Sequence, residues 1–196
     1  MQKTLDFYFD FGSPTAYLAH CRLQQLSEQY GLVVNYRPML LGGVFKATDN
    51  MSPVAIPAKG KYMNEYDLPR FAKRYGVALN FNPFFPINTL QLMRGAIAAQ
   101  AAGCLAHYVN AVYPAMWVDQ KNMGDPDVMR EVLDSAGLDA EGLMAACADP
   151  EVKAALIAGT EEAVAKGAFG APTMYMDGEM YFGQDRLDFI EEALQA

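Results

Sequence analysis

The sequence predicts an α/β protein: a four-stranded mixed sheet with helices on both faces, interrupted by a large all-helical insertion. Three observations carry this. The chain opens with a strand, a helix and a second strand, and this β-α-β unit is complete by residue 45. It closes over 150–196 with a helix, two short strands and a last helix. Between them, 46–149 is rich in alanine and methionine and patterned as helices. Neither terminal piece is large enough to bury a core alone. Joined, 1–45 and 150–196 form one sheet domain, and 46–149 caps its working edge.

The elements follow in order. Thr4 to Phe11 is apolar and aromatic and reads as a buried strand. Pro14 to Tyr30 reads as a helix, with Ser13 in the N-cap place, Pro14 at the first helical position and Gly31 as its stop. Leu32 to Pro38 is rich in β-branched residues and reads as a second strand, parallel to the first across a right-handed crossover. Met39 to Pro57 reads as loop, because it holds Gly42-Gly43, Asp49-Asn50 and two prolines. Helices are expected over Lys59–Tyr75, Thr89–Ala102, Leu105–Asp119, Asp127–Ala136, Ala140–Ala148 and Pro150–Lys166, with Asp125 and Asp149 as caps before prolines. Thr173–Asp177 and Glu179–Phe182 form a hairpin around Asp177-Gly178. Arg186 to Leu194 closes the chain as a helix.

With 196 residues, 52% of them hydrophobic, the chain can build a sizeable core. A formal charge of −8 argues against nucleic acid or an anionic membrane as partner, since both need a basic face. An anionic substrate would need a few local lysines to overcome that field. No secretory signal or membrane span is visible, and Cys21, Cys104 and Cys147 form neither a CxxC pair nor a metal knuckle, so no metal is expected and a reducing, cytoplasmic setting fits. Cys21 reads as core and His20 as structural, and His107 is too isolated in sequence to act as a base.

The chemistry concentrates in two stretches. The first is Phe9-Asp10-Phe11-Gly12-Ser13-Pro14, a strand turning into a helix. The free amides and positive dipole end of that helix favour an anion beside Ser13, and a thiolate is one such anion. The second is Gly167-Ala168-Phe169-Gly170-Ala171-Pro172-Thr173, a Gly-rich turn and a proline ahead of a strand. Together they resemble thioredoxin-fold proteins, in which a cis-proline loop faces the reactive helix start.

Further segments carry a narrower resemblance. Leu40-Leu41-Gly42-Gly43-Val44-Phe45-Lys46, Pro57-Ala58-Lys59, Phe85-Pro86-Ile87-Asn88-Thr89-Leu90 and Gly183-Gln184-Asp185-Arg186-Leu187 occur in order. Over nearly its full length the chain resembles the 2-hydroxychromene-2-carboxylate isomerases, and more broadly the kappa-class glutathione transferases and their DsbA-like relatives. It departs from them at Ala171, where a bulkier aliphatic is common, and at Thr15-Ala16, which replaces Tyr-Ser.

The resemblance implies glutathione as cofactor, a small aromatic carboxylate as substrate, and a homodimer. Where disulfide oxidoreductases carry Cys-x-x-Cys, this chain has Ser13-Pro14-Thr15-Ala16, which leaves no dithiol to exchange. Ser13 is then expected to hydrogen-bond the glutathione sulfur rather than attack. Ala171, before Pro172 in the cis form, would pair with the cysteinyl backbone of glutathione as an added strand does. Read alone, Pro172 is an ordinary turn proline. Gln184 and Asp185 would meet the γ-glutamyl end; Asp185 alone reads as a helix cap. Asn50 would lie near the glycyl end. Lys46 is a candidate cation for glutathione or for the substrate carboxylate, or a solvated loop lysine. Tyr62, Phe84, Phe85 and Trp117 are either core or the walls of a flat pocket.

The implied reaction interconverts 2-hydroxychromene-2-carboxylate and trans-o-hydroxybenzylidenepyruvate, or a ring-substituted analogue, by reversible thiolate addition in aromatic-hydrocarbon catabolism. Two alternatives share parts of the site: a kappa-class transferase or peroxidase that consumes glutathione, and a non-redox DsbA-like binding protein that holds a peptide at Pro172.

Overall fold

The computed structural model describes residues 2–195. Strand β1 (Thr4–Phe9) pairs in parallel with β2 (Val33–Pro38) and antiparallel with β3 (Thr173–Met176), which pairs antiparallel with β4 (Glu179–Phe182). The order is β2-β1-β3-β4, the expected mixed sheet. Asp177 and Gly178 close the β3–β4 hairpin with φ of 53° and 87°, as a tight two-residue turn requires.

Side chains alternate across β1. Leu5, Phe7 and Phe9 are fully buried in the larger core, with Met174 and Met176 of β3, Leu18 and Leu23 of α1 (Pro14–Tyr30), and Leu187 and Ile190 of α10 (Leu187–Gln195). Tyr8 points the other way. It packs on Val44 of α2 (Leu41–Ala47) and Ala163 of α9 (Pro150–Ala165). Helices therefore cover both faces.

The intervening helices run α3 (Pro57–Tyr62), α4 (Leu68–Tyr75), α5 (Leu90–Ala101), α6 (Leu105–Trp117), α7 (Pro126–Ser135) and α8 (Ala140–Ala146). They share the sheet's core: Tyr113 of α6 packs on Phe9, Phe11 and Tyr17. Asp125 and Asp149 cap α7 and α9 as their positions before proline predict.

Two stretches differ from the sequence expectation. The segment after β2 is not loop throughout; it holds α2 and a short 3-10 turn, Pro53–Ala55. Gly43 misleads because it serves packing. A Cβ on Gly43 would stand 3.1 Å from the Thr160 side chain of α9, and α2 is started by tertiary contacts: Leu40 N donates to Thr160 Oγ1 and Leu41 N to Asp10 Oδ2. The single helix expected over Lys59–Tyr75 is broken by a π-helical turn, Met63–Asp67. Pro69 lies just beyond it; a proline ring removes one donor and crowds the carbonyl four residues earlier, which widens the preceding turn.

His20 of α1 is buried, stacks on Tyr113 and has Nδ1 2.8 Å from the Tyr36 hydroxyl. Burial lowers its pKa to about 4. A base whose folded pKa is depressed contributes full stability above its unfolded pKa and loses it as pH falls. Denaturant unfolding should show wild type losing about 2–3 kcal/mol between pH 7 and pH 4.5 through this one group. His20→Gln should flatten that loss; an unchanged slope overturns the assignment.

Candidate functional site

The site begins where β1 ends. Asp10 is 1% exposed. Its Oδ1 accepts from Gly12 N and its Oδ2 from Leu41 N, both at 2.8 Å, while its own carbonyl accepts from Ser13 N at 3.1 Å. Burial raises the Asp10 carboxyl above the usual range, and the amides and the Thr89 hydroxyl pull it partly back. Trp117 Nε1 donates to Phe11 O at 2.8 Å. Trp117 is fully buried, so it clamps the turn and is core rather than pocket wall. Phe85 packs on it, while Tyr62 and Phe84 are exposed.

This turn delivers Ser13 to the N-cap of α1. Its φ and ψ are −103° and 112°, and its Oγ accepts from Ala16 N at 3.1 Å. Pro14 occupies the first helical position, and the first turn carries no acidic residue to offset the dipole.

The Ala171–Pro172 bond is cis. Ala171 O receives two hydroxyls: Ser13 Oγ and Thr15 Oγ1 each lie 3.1 Å away, and 2.9 Å from each other. One proton on Ser13 cannot serve both Ala171 O and a ligand, but Thr15 can hold the carbonyl when Ser13 turns away. Thr15 was absent from the sequence expectation. Its only signal there is a hydroxyl one step past the helix-opening proline.

Gly183 N donates to Pro172 O at 3.0 Å, which brings the next segment alongside. Gln184 is buried, and its Nε2 lies 3.3 Å from Asp67 Oδ2. Asp185 does not cap the last helix. It lies inside a 3-10 turn, Gln184–Arg186, that precedes α10, and its carboxylate pairs with Arg186. The left-handed φ of 97° at Gly183 sets that turn, and no side chain caps it. Asp67, a second residue without a sequence expectation, has its carboxyl raised by burial and by the negative charge of Asp185. A hydrogen bond from Gln184 and the charge of Arg70 pull it partly back.

Asn50 Nδ2 donates to Phe169 O at 2.8 Å, tying the end of the α2 segment to the proline loop. Lys46, in the last turn of α2, stands apart from these contacts. It is exposed and lines a cavity between α2, α5 and α9. No group of three or more metal-ligating side chains occurs among the described residues. No helix among them is long and apolar enough to cross a membrane.

The site thus offers two hydroxyls at a helix start, a half-buried backbone at Ala171, and two carboxylates nearby. Comparison with known proteins places it in context. Residues 4–195 match the DSBA-like thioredoxin domain. The chain is 34% identical over 196 residues to 2-hydroxychromene-2-carboxylate isomerase of Sphingobium xenophagum, covering 99% of each chain. It is 28% identical to glutathione S-transferase kappa 1 of Homo sapiens, covering 99% of this chain and 92% of the relative. A solved structure of a 2-hydroxychromene-2-carboxylate isomerase superposes with a TM-score of 0.89 at 31% identity, over 98% of this chain and 94% of the other.

Asp10→Ala should orphan the Gly12 and Leu41 amides at a cost of about 1–3 kcal/mol each. Denaturant melts check this; a change below about 0.5 kcal/mol, the ordinary range of surface substitutions, overturns the role given to Asp10.

Proposed function

The chain belongs to the DSBA-like thioredoxin domain family, on the branch of the 2-hydroxychromene-2-carboxylate isomerases, and on that premise we propose that it is a glutathione-dependent isomerase. Its substrate is a chromene carboxylate or ring-substituted analogue from aromatic-hydrocarbon catabolism. It acts in the cytoplasm, as a homodimer. The observation that carries this is the Ser13 hydroxyl at the start of α1, 3.1 Å from the carbonyl before cis-Pro172.

The residues present fit glutathione. The α1 start suits a thiolate, and the Asp67–Asp185 pair, which raises the Asp67 carboxyl, suits the γ-glutamyl ammonium. Ala171 offers its backbone to the cysteinyl unit, Gln184 lines the same end, and Asn50 braces the loop near the glycyl end. Bound glutathione supplies the nucleophilic sulfur for reversible addition to the conjugated substrate. Ser13 donates a hydrogen bond to that sulfur, and the helix dipole adds about 0.3–2 kcal/mol in favour of its charge. Thr15 takes over Ala171 O as Ser13 turns, so no buried carbonyl is left unpaired. Lys46 meets the carboxylate of the substrate.

A kappa-class transferase or peroxidase is the second reading, favoured by the 28% identity to glutathione S-transferase kappa 1. It uses the same thiolate site but consumes glutathione. Following the ultraviolet change of a chromene carboxylate at substoichiometric glutathione separates the two: an isomerase turns over many times per thiol.

A charge-assisted hydrogen bond is worth about 1.5–3 kcal/mol, so Ser13→Ala should raise the bound thiol pKa by about 1–2 units. The acidic limb of the pH–rate profile should move up accordingly and turnover at pH 7 should fall about 10–100-fold. An unmoved limb overturns the mechanism. Thr15→Val should shift the limb in the same direction by less, and Thr15→Ser should restore it.

A further inference from the structure

A cavity of about 580 Å³ lies between α2, α5 and α9. Its walls are apolar, with Leu40, Leu90, Leu156 and Ile157 among them. Three cations, Lys46, Arg94 and Lys153, stand around it, against one carboxylate, Glu161. Among the described residues none of the three forms an ion pair. Arg94 Nε is buried without a hydrogen-bond partner. On a chain of formal charge −8, unpaired cations converging on one apolar hollow point to an anionic ligand with an apolar body.

Two residues of its lining are chain neighbours of residues that contact the Ser13 turn. Leu40 precedes Leu41, whose amide is held by Asp10. Leu90 follows Thr89, whose methyl stands 3.1 Å from where a Cβ on Gly12 would project. Arg94 is one helical turn beyond Leu90 on α5, about 6 Å along the axis. A carboxylate held at Arg94 therefore lays its apolar body over Leu90, toward the turn that carries Ser13. Arg94 and Lys153 also border a neighbouring cavity of about 420 Å³, so they form the wall between the two. Glu161 lies two turns from Lys153 along α9, about 12 Å, and leaves the Arg94–Lys153 end positive.

We propose that this cavity holds the substrate's carboxylate and ring, with Arg94 and Lys153 joining Lys46 as the anchors of the carboxylate. The choice of an aromatic monocarboxylate rests on the isomerase reading. The cationic, apolar character of the cavity does not.

Calorimetry with coumarin-3-carboxylate, a flat bicyclic carboxylate, tests this against coumarin, which lacks the charge. Arg94→Gln and Lys153→Gln should each weaken the carboxylate about 10–100-fold, the worth of one charge-assisted hydrogen bond. Ile157→Glu, at a position 58% exposed and so tolerant of charge, should weaken it as well. Coumarin should bind wild type, Arg94→Gln and Lys153→Gln alike but weaken with Ile157→Glu, which removes apolar wall, and glutathione affinity should not change. Carboxylate binding indifferent to all three substitutions overturns the proposal and leaves the glutathione reading intact. Failure of wild type to bind glutathione overturns that reading while carboxylate binding remains measurable.

Discussion

The buried Asp10 carboxylate is the interaction on which the site depends. One side chain accepts two backbone amides from different parts of the chain, Gly12 and Leu41. The first bond closes the turn that ends β1 and aims α1. The second starts α2 beside it. A charged group 1% exposed is costly unless fully hydrogen-bonded, so the turn has little freedom to adopt another shape. The position of Ser13 follows from this constraint.

What the turn presents is a helix start whose two hydroxyls converge on one carbonyl. The first turn of α1 holds no acidic side chain, and the hydroxyls of Ser13 and Thr15 share a single acceptor, Ala171 O. Such a shared arrangement is redundant: one hydroxyl can leave without orphaning the carbonyl. A third anion-seeking feature is the cationic cavity beside α5 and α9. The carboxylates gather elsewhere, at Asp67 and Asp185, where they repel each other. Cationic and acidic side chains are thus gathered at different places around the fold.

The helices between α3 and α8 are coupled to this machinery through packing. Trp117, at the end of α6, donates to Phe11 O inside the turn. Tyr75, at the end of α4, donates to Gln184 O. Thr89, just before α5, touches both Gly12 and Asp10. Mutations deep in the helical block will therefore move the site without contacting any ligand.

Local sequence determined the elements whose signals are local. The N-cap serine, the N1 proline and the stop at Gly31 bound α1 because capping is settled within four residues. The Asp177-Gly178 turn and the aspartate–proline helix starts were legible for the same reason. Tertiary structure alone decided what depends on residues distant in the chain. Gly42-Gly43 looks like loop until Thr160 and Asp10 start a helix there, and Asp185 looks like a cap until Gly183 turns the backbone another way. Thr15 becomes part of the site only because residue 171 arrives 156 positions later to share its hydroxyl. Arg94 and Lys153 share a cavity only because α5 and α9 pack together. Spacing along the chain records capping and periodicity, whereas the convergence of charges is set by packing, which has no period.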